Sequence, residues 1–379
     1  MAFLNDPDAT GIQAGSGWAW NASSNAFYKS APLGDSHYEV CIYTNSGATG
    51  TVLVAVGYVP APLVIGSGVN QLAAAGVSAA APTPSYLARA IRAELYKRPP
   101  FPKGMAVKNT IDFNGNTVTV DSFDNELGPY GSVGASGLNI RDKAEVATDA
   151  DLYGGTLGNA KIKGHLHTGP AAKVGIGPNG SVGNSAWVDT GTKGIQSGCL
   201  RMDSNFSLPD VQPPWSSAQP APPTGALKYE LGSATYQITG PCTIDKNNQM
   251  LVTGDAKLWI KGDLNLAEFV TVTNSGARLT LYVSGNISFS GVWDSIDPED
   301  ILIYGLPSCK SVDVPSGAKI KCALYAPSAN VSVAGTAMMF GSMAANAIKM
   351  NGSTSFHCDE SLGRHVPLSI YKVISWREL

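Results

Sequence analysis

Four adjacent side chains near the end of the chain, His357, Cys358, Asp359 and Glu360 in GSTSFHCDESL, are of the types that ligate metals or carry out nucleophilic attack. Either chemistry needs them to converge on one point. In an extended strand neighbours alternate between faces, so only His357 with Asp359, or Cys358 with Glu360, can share one. A four-ligand cluster is therefore not expected. The block also follows the last of the repeats described below, where exposed strand edges need covering. The expectation is an end-cap in which His357, Asp359 and Glu360 bond the last open backbone groups.

Other chemistry-bearing residues are scattered. His165 and His167 in GHLHTGP share a strand face, a spacing that binds zinc or copper when a third ligand arrives. No third ligand stands nearby, so an exposed pair beside an inward Leu166 is expected. The loop WDSIDPED gathers Asp294, Asp297, Glu299 and Asp300, a carboxylate set suited to Ca²⁺, while the plain reading is a solvated turn with local Asp–backbone bonds. Asp149 and Asp151 form a weaker set of the same kind. Among six cysteines, Cys309 with Cys322 would close a loop of about 14 residues, worth roughly 3 kcal/mol in the chain-entropy picture, and Cys199 with Cys242 would span a Pro-rich stretch. No G-x-S-x-G, Walker loop, H-E-x-x-H or dinucleotide fingerprint is present, and no organic cofactor is expected.

The composition says what must position these residues. The 379 residues include 42 glycines and only 15% charged side chains, a β-rich, turn-rich texture. A net charge of -3, with 26 Lys and Arg thinly spread, gives no basic stripe to track phosphates, so nucleic acid is not an expected partner. No run of apolar residues is long enough to span a bilayer, and no signal peptide opens the sequence. The absence of a C-x-x-C pair turns the cysteines away from zinc ribbons and towards an oxidising compartment.

Residues 1–104 read as a small β region. Within it, HYEVCIYTN and GTVLVAVGYV suggest an antiparallel hairpin, and 61–83 form an Ala/Gly/Pro-rich insertion. The segment 86–98 fits helix or strand by period alone. Residues 105–379 carry short strands punctuated by turns, interrupted by a Pro-rich loop over 208–225. Between 256 and 362 an aliphatic–aromatic pair recurs: Leu258-Trp259, Leu281-Tyr282, Ile303-Tyr304, Leu324-Tyr325 and Met339-Phe340, at spacings of 23, 22, 21 and 15. A period near 20 without helices points to stacked parallel strands, with Leu281, Val283, Ile287, Phe289, Val331 and Val333 inward. The expected fold is mainly β: a right-handed parallel β-helix preceded by a small antiparallel sheet.

The blocks VDSFDNELGPYGS (120–132), ALYAPSANVSVAG, FGSMAANAIKMNGSTSFHCDESL and YKVISWREL together resemble bacterial pilus-assembly-type exported proteins, PilX-like and related to large pilins. The resemblance implies a hydrophobic N-terminal helix, a small pilin-like sheet to which 86–98 contributes a strand, and a β-helical C-terminal region of unassigned function. This sequence lacks the helix, so membrane contact is expected only through such a segment. The functional expectation is a non-catalytic extracellular or cell-surface protein. It would self-associate or join other pilin-like subunits in a surface fibre, with surface glycans as a further partner. The alternatives are a polysaccharide-active β-helix enzyme, a glycoside hydrolase or lyase centred on WDSIDPED, and a cation- or glycan-binding adhesin.

Overall fold

The computed structural model describes residues 18–21, 26–44, 51–60, 86–98, 104–365 and 370–379, apart from short gaps at 116, 135–136, 154–155, 205–206, 216, 224–228, 268–269, 274–275 and 294–296. The insertion at 61–83 and Asp294 lie outside the described residues. The chain divides into two units, one holding 9–98 with 370–379 and the other 99–369. The last strand, expected within the long C-terminal region, thus belongs with the small sheet.

That sheet has six strands in the order Ala19–Asn21, Ala26–Leu33, Ser36–Thr44, Thr51–Pro60, Tyr86–Arg98, Ile370–Glu378. Every pairing is antiparallel. Residues 86–98 are a strand throughout. Flanked on both sides, they form two backbone ladders that outweigh the helix propensity of Leu, Ala, Arg and Glu.

The larger unit is a stack of parallel strands arranged on three faces. The second face is a continuous ladder of ten: Thr235–Ile238, Asp255–Ile260, Arg278–Val283, Ile301–Gly305, residues 323–326, residues 343–345, Met105–Val107, Ala144–Thr148, residues 164–167, and Leu200–Arg201. Its spatial order is not its sequence order. The chain enters mid-stack at Met105, winds outward to Arg201, crosses back, and restarts at the opposite end near Tyr229. From there it winds inward until Ser355–Asp359 slots between Met338–Gly341 and Thr119–Phe123. One level of the stack is therefore completed by residues about 250 positions apart.

Three strands turn unbroken from the first face, the one that carries Ser355–Asp359 and Thr119–Phe123, to the second: Lys319–Val333 at Cys322, Met338–Met350 at Gly341 and Lys161–His167 at Gly164. Both glycines have positive φ (130° and 150°), and a Cβ would lie 2.1 Å from Cys322 O and 1.9 Å from Ala144 O respectively, so only glycine fits. Because Met338–Met350 and Lys161–His167 each pair on both faces, six strands, those two with Met105–Val107, Ala144–Thr148, Thr119–Phe123 and Ser355–Asp359, close into a ring of parallel pairings.

Inward residues stack in rows. Leu258, Leu281, Ile303, Leu324 and Met343 are in register and at most 1% exposed. Each buried methylene stabilises by about 0.8 kcal/mol, which offsets the ordering of these short strands. The six residues expected inward are all buried. The fifth pair needs correcting: Leu324-Tyr325 aligns with Met343-Ala344, while Met339-Phe340 lies on the first face opposite Ile320-Lys321. Its short spacing of 15 arises because it belongs to another ladder.

The aromatic partners Tyr282, Tyr304 and Tyr325 point outward yet are at most 2% exposed, because the Pro-rich segment lies over them. Tyr325 donates a hydrogen bond to Pro209 O (2.9 Å), and Trp215 packs edge-on against Trp259 and Tyr282 (6.1 and 6.2 Å). At the far end Gln237 N and Glu230 N donate to Pro220 O and Pro223 O (2.9 and 3.1 Å). The spacer is thus a strap along the second face, and its prolines cap the first strands: they have no N–H to leave unpaired, but they offer carbonyls to the open edge. Nine intervals of about 4.8 Å need roughly 43 Å, which the 18 residues of 202–219, reaching up to about 59 Å, can span.

Candidate functional site

The two halves of the stack meet on the first face, where outward side chains form a row across four consecutive strands: Lys321, Phe340, His357, Asp121. Over this row lies a cleft of about 240 Å³, lined by Phe123, Asn125, Pro129 and Tyr130 from one half and by Asp297, Pro298, Lys319, Lys321 and Phe340 from the other. The floor stands on paired strands. The walls come from the turn after Phe123 and from the segment preceding Ile301–Gly305.

Beneath the rings sits a buried polar chain. Tyr130 donates its hydroxyl to Asp121 Oδ2 (2.8 Å), and His357 Nδ1 lies 2.5 Å from Asp121 Oδ1. Asp121 and His357 are 7% and 6% exposed. The His357 ring packs on Tyr130 and Phe340 (centroids 4.0 and 4.6 Å), and the Lys319 ammonium lies 5.7 Å from the Phe340 centroid. Burial, then the neighbouring Asp121 carboxylate, raise the Tyr130 hydroxyl well above the usual phenol range. At neutral pH it is therefore a fixed donor to Asp121 and turns its ring, not a phenolate, to the cleft.

The block HCDE is not an end-cap, since Ser355–Asp359 is paired on both flanks in mid-stack. Cys358 points into the core, 3% exposed, while His357 faces the cleft row, as strand alternation requires. Asp359 and Glu360 fasten this strand to the other half. Asp359 Oδ1 accepts from Asn125 N, Ser361 N and Ser361 Oγ, and Glu360 Oε1 from Ser122 Oγ (2.9 Å) and Arg141 Nε (3.0 Å). Arg364 bridges Asp124 and Glu126 at 2.6 and 2.7 Å. Burial raises the Asp359 carboxyl to about 6, against the opposing effect of its bonds to Ser361 and Asn125.

The remaining candidates separate. Asp297 lines the cleft. The Asp297 backbone N–H donates to Asp300 Oδ2 (2.9 Å) and Glu299 pairs with Arg278 (3.0 Å), so these carboxylates act as turn and surface partners. No group of three or more His, Cys, Asp or Glu side chains among the described residues is arranged to hold a metal ion. Asp151 Oδ1 accepts from Lys173 N. His165 and His167 share a face as expected, but His167 is only 2% exposed, held 2.8 Å from Asp203 and 3.4 Å from Glu145.

Neither disulfide forms: all six cysteines are free. Cys199 and Cys242 stand at opposite ends of the stack, next to Leu200–Arg201 and in Cys242–Ile244. Cys309 occupies the corner after Ile301–Gly305, whereas Cys322 enters the core from the first face of the next circuit. Burial raises their thiols to about 11 and about 12.

Asp121, Tyr130, Lys319 and Lys321 carry no chemistry in the sequence reading. Phe340 enters it only as half of an aliphatic–aromatic pair. The alternation Lys319-Ile320-Lys321 was a legible sign of two cations on one outward face, but nothing local links them to Tyr130, 189 positions earlier.

Residues 222–365 match a domain of unknown function, DUF7305. The match spans the second half of the stack and ends just past the strand that locks into the first half. No curated protein and no solved structure matches the chain.

Proposed function

We propose that this chain is a non-catalytic structural protein of the cell surface or extracellular space, pilin-like, which assembles into or decorates a surface fibre through contacts with itself or other pilin-like subunits. In this reading the larger unit is a right-handed parallel β-helix, the hand that parallel strand connections adopt in about 98% of cases. The observation that carries the proposal is where the ionisable side chains are spent. Arg141, Arg364, Asp124, Asp359 and Glu360 join one circuit to another, and Lys163–Asp189 and Arg278–Glu299 do the same. Groups committed to holding a scaffold are poorly placed to shuttle protons.

The polysaccharide-active reading needs two carboxylates facing one groove. The cleft has Asp297 at its rim, and Asp121 is bonded beneath Tyr130 and His357.

Electron microscopy of native cell-surface material, with antibody labelling of this chain, tests the proposal. Labelled ordered fibres are expected. Monodisperse monomers that depolymerise a glycan would overturn it.

A further inference from the structure

We infer that the aromatic row beneath the strap is a docking groove for a proline-rich segment of another protein, and that the strap is its built-in, displaceable occupant.

Burial along residues 208–214 repeats every three residues: Leu208, Val211 and Pro214 are buried, while Asp210, Gln212 and Pro213 are exposed. Three residues per turn is the repeat of a polyproline II helix, which makes no internal hydrogen bonds. The surface below has the character on which such helices dock, an aromatic-lined groove. Trp259, Tyr282, Tyr304 and Tyr325 stand in register on four consecutive strands, with Tyr282 and Tyr304 stacked at 5.3 Å and Tyr325 6.0 Å beyond. The Tyr325 hydroxyl donates to a proline carbonyl, Pro209 O (2.9 Å), and burial, then the nearby Asp210, raise it well above the usual phenol range, so it stays a donor.

Side chains hold this stretch in place. Asp210 accepts from Ser328 Oγ (2.7 Å) and pairs with Lys108 (3.8 Å), and Trp215 Nε1 donates to Gln237 Oε1 (3.4 Å). Residues 208–215 belong to no strand, so lifting them breaks no ladder. With ends roughly 43 Å apart and up to about 59 Å of chain, the strap can bow out by about 20 Å, twice the ~10 Å between packed layers.

A second copy fits less well as the occupant. Its strap would make the same contacts as the resident one without the advantage of the tether, and would add the cost of bringing two molecules together. A segment of another protein can carry larger side chains at every third position and so outcompete the resident.

The test uses the full chain with residues 208–215 replaced one for one by glycine and serine, which keeps Pro220 and Pro223 over the first strands. The probe is a labelled synthetic peptide of residues 207–218, followed by fluorescence anisotropy. Saturable binding to the replaced chain is expected. The intact chain should bind roughly a hundredfold or more weakly, because the tethered strap competes, yet still measurably at millimolar peptide. Alanine in the peptide at the position of Val211 or of Trp215 should each weaken binding roughly tenfold, the loss that one buried apolar side chain implies. Tyr325→Phe in the replaced chain should weaken it several-fold. Thermal melts check the fold; if the replaced chain does not fold, Trp215→Ala serves in its place and should bind the peptide more tightly than the intact chain. No binding to the folded replaced chain, none to the intact chain at millimolar peptide, equal binding of a scrambled peptide, or equal affinity for intact and replaced chains would each overturn the inference. A complex between replaced and intact chains in light scattering would assign the groove to a second copy and overturn the choice of partner. Fibre imaging is a separate readout, so the surface reading and the groove can fail independently.

Discussion

If residues from the two halves of the stack complete one level, Gly104 and Cys358 must touch, and Gly104→Ala tests it. A Cβ at 104 would sit 2.4 Å from Cys358 Sγ and 2.7 Å from Cys358 Cβ, too close for any real contact. Cys358 is 3% exposed within the core, so its sulfur has little room to retreat. Overpacking of this kind costs about 1–3 kcal/mol. Cys358→Ala alone removes one buried atom, at about 1 kcal/mol. In the double variant the sulfur that blocks the new methyl is gone and only the Cβ contact remains. The combined cost should therefore fall short of the sum by about 1 kcal/mol or more. The assay is urea unfolding of the four proteins of this cycle in reductant, followed by tryptophan fluorescence. Sites that do not touch add within about 0.5 kcal/mol, so additivity at that level would refute the meeting of the two halves.

Three further outcomes are expected. Burial raises the folded-state Asp359 carboxyl to about 6 from an ordinary 3.8, so the folded state holds the extra proton between those values and stability falls as pH rises from about 4 to about 6, by roughly 3 kcal/mol in all; Asp359→Asn should flatten that slope in denaturation curves taken across the range. Intact mass should be the same with and without reductant, and native alkylation should reach Cys41 and Cys199 well before Cys309, Cys322 and Cys358, so a reductant-sensitive mass would contradict the free thiols. Trp215→Ala should loosen the strap over Trp259 and Tyr282, seen as faster limited proteolysis within 209–223 while the strand circular dichroism is kept; an unchanged cleavage rate would mean that the tryptophan does not hold it.

Periodicity made part of this legible. The recurrence of Leu258, Leu281, Ile303 and Leu324 revealed both the stacking and its inward row, because each circuit returns a side chain to the same register. It failed at Met339, where the strand runs on round the corner at Gly341 and the true counterpart, Met343, comes four residues later. The order of the circuits was illegible for a different reason. Every local signal is the same whether Ser355–Asp359 ends a stack or sits inside one; only its pairing with Thr119–Phe123, over 230 positions away, decides, and single-sequence pattern carries no such long-range information. The cap assigned to His357 failed on that point, and the cleft was missed with it, since its walls are neighbours only after the halves join. Cysteine spacing likewise gave no hint that Cys199 and Cys242 stand at opposite ends.

The strap makes the molecule self-measuring. Both far ends of the stack are interior to the chain, so a relative that gained a circuit beside Arg201 or Tyr229 would leave the entry at Met105 and the exit at Asp359 undisturbed. Its return segment would have to grow in step, by about 1.5 extended residues for each added strand spacing. Across such relatives, the length of the Pro-rich connection should report the number of circuits it crosses.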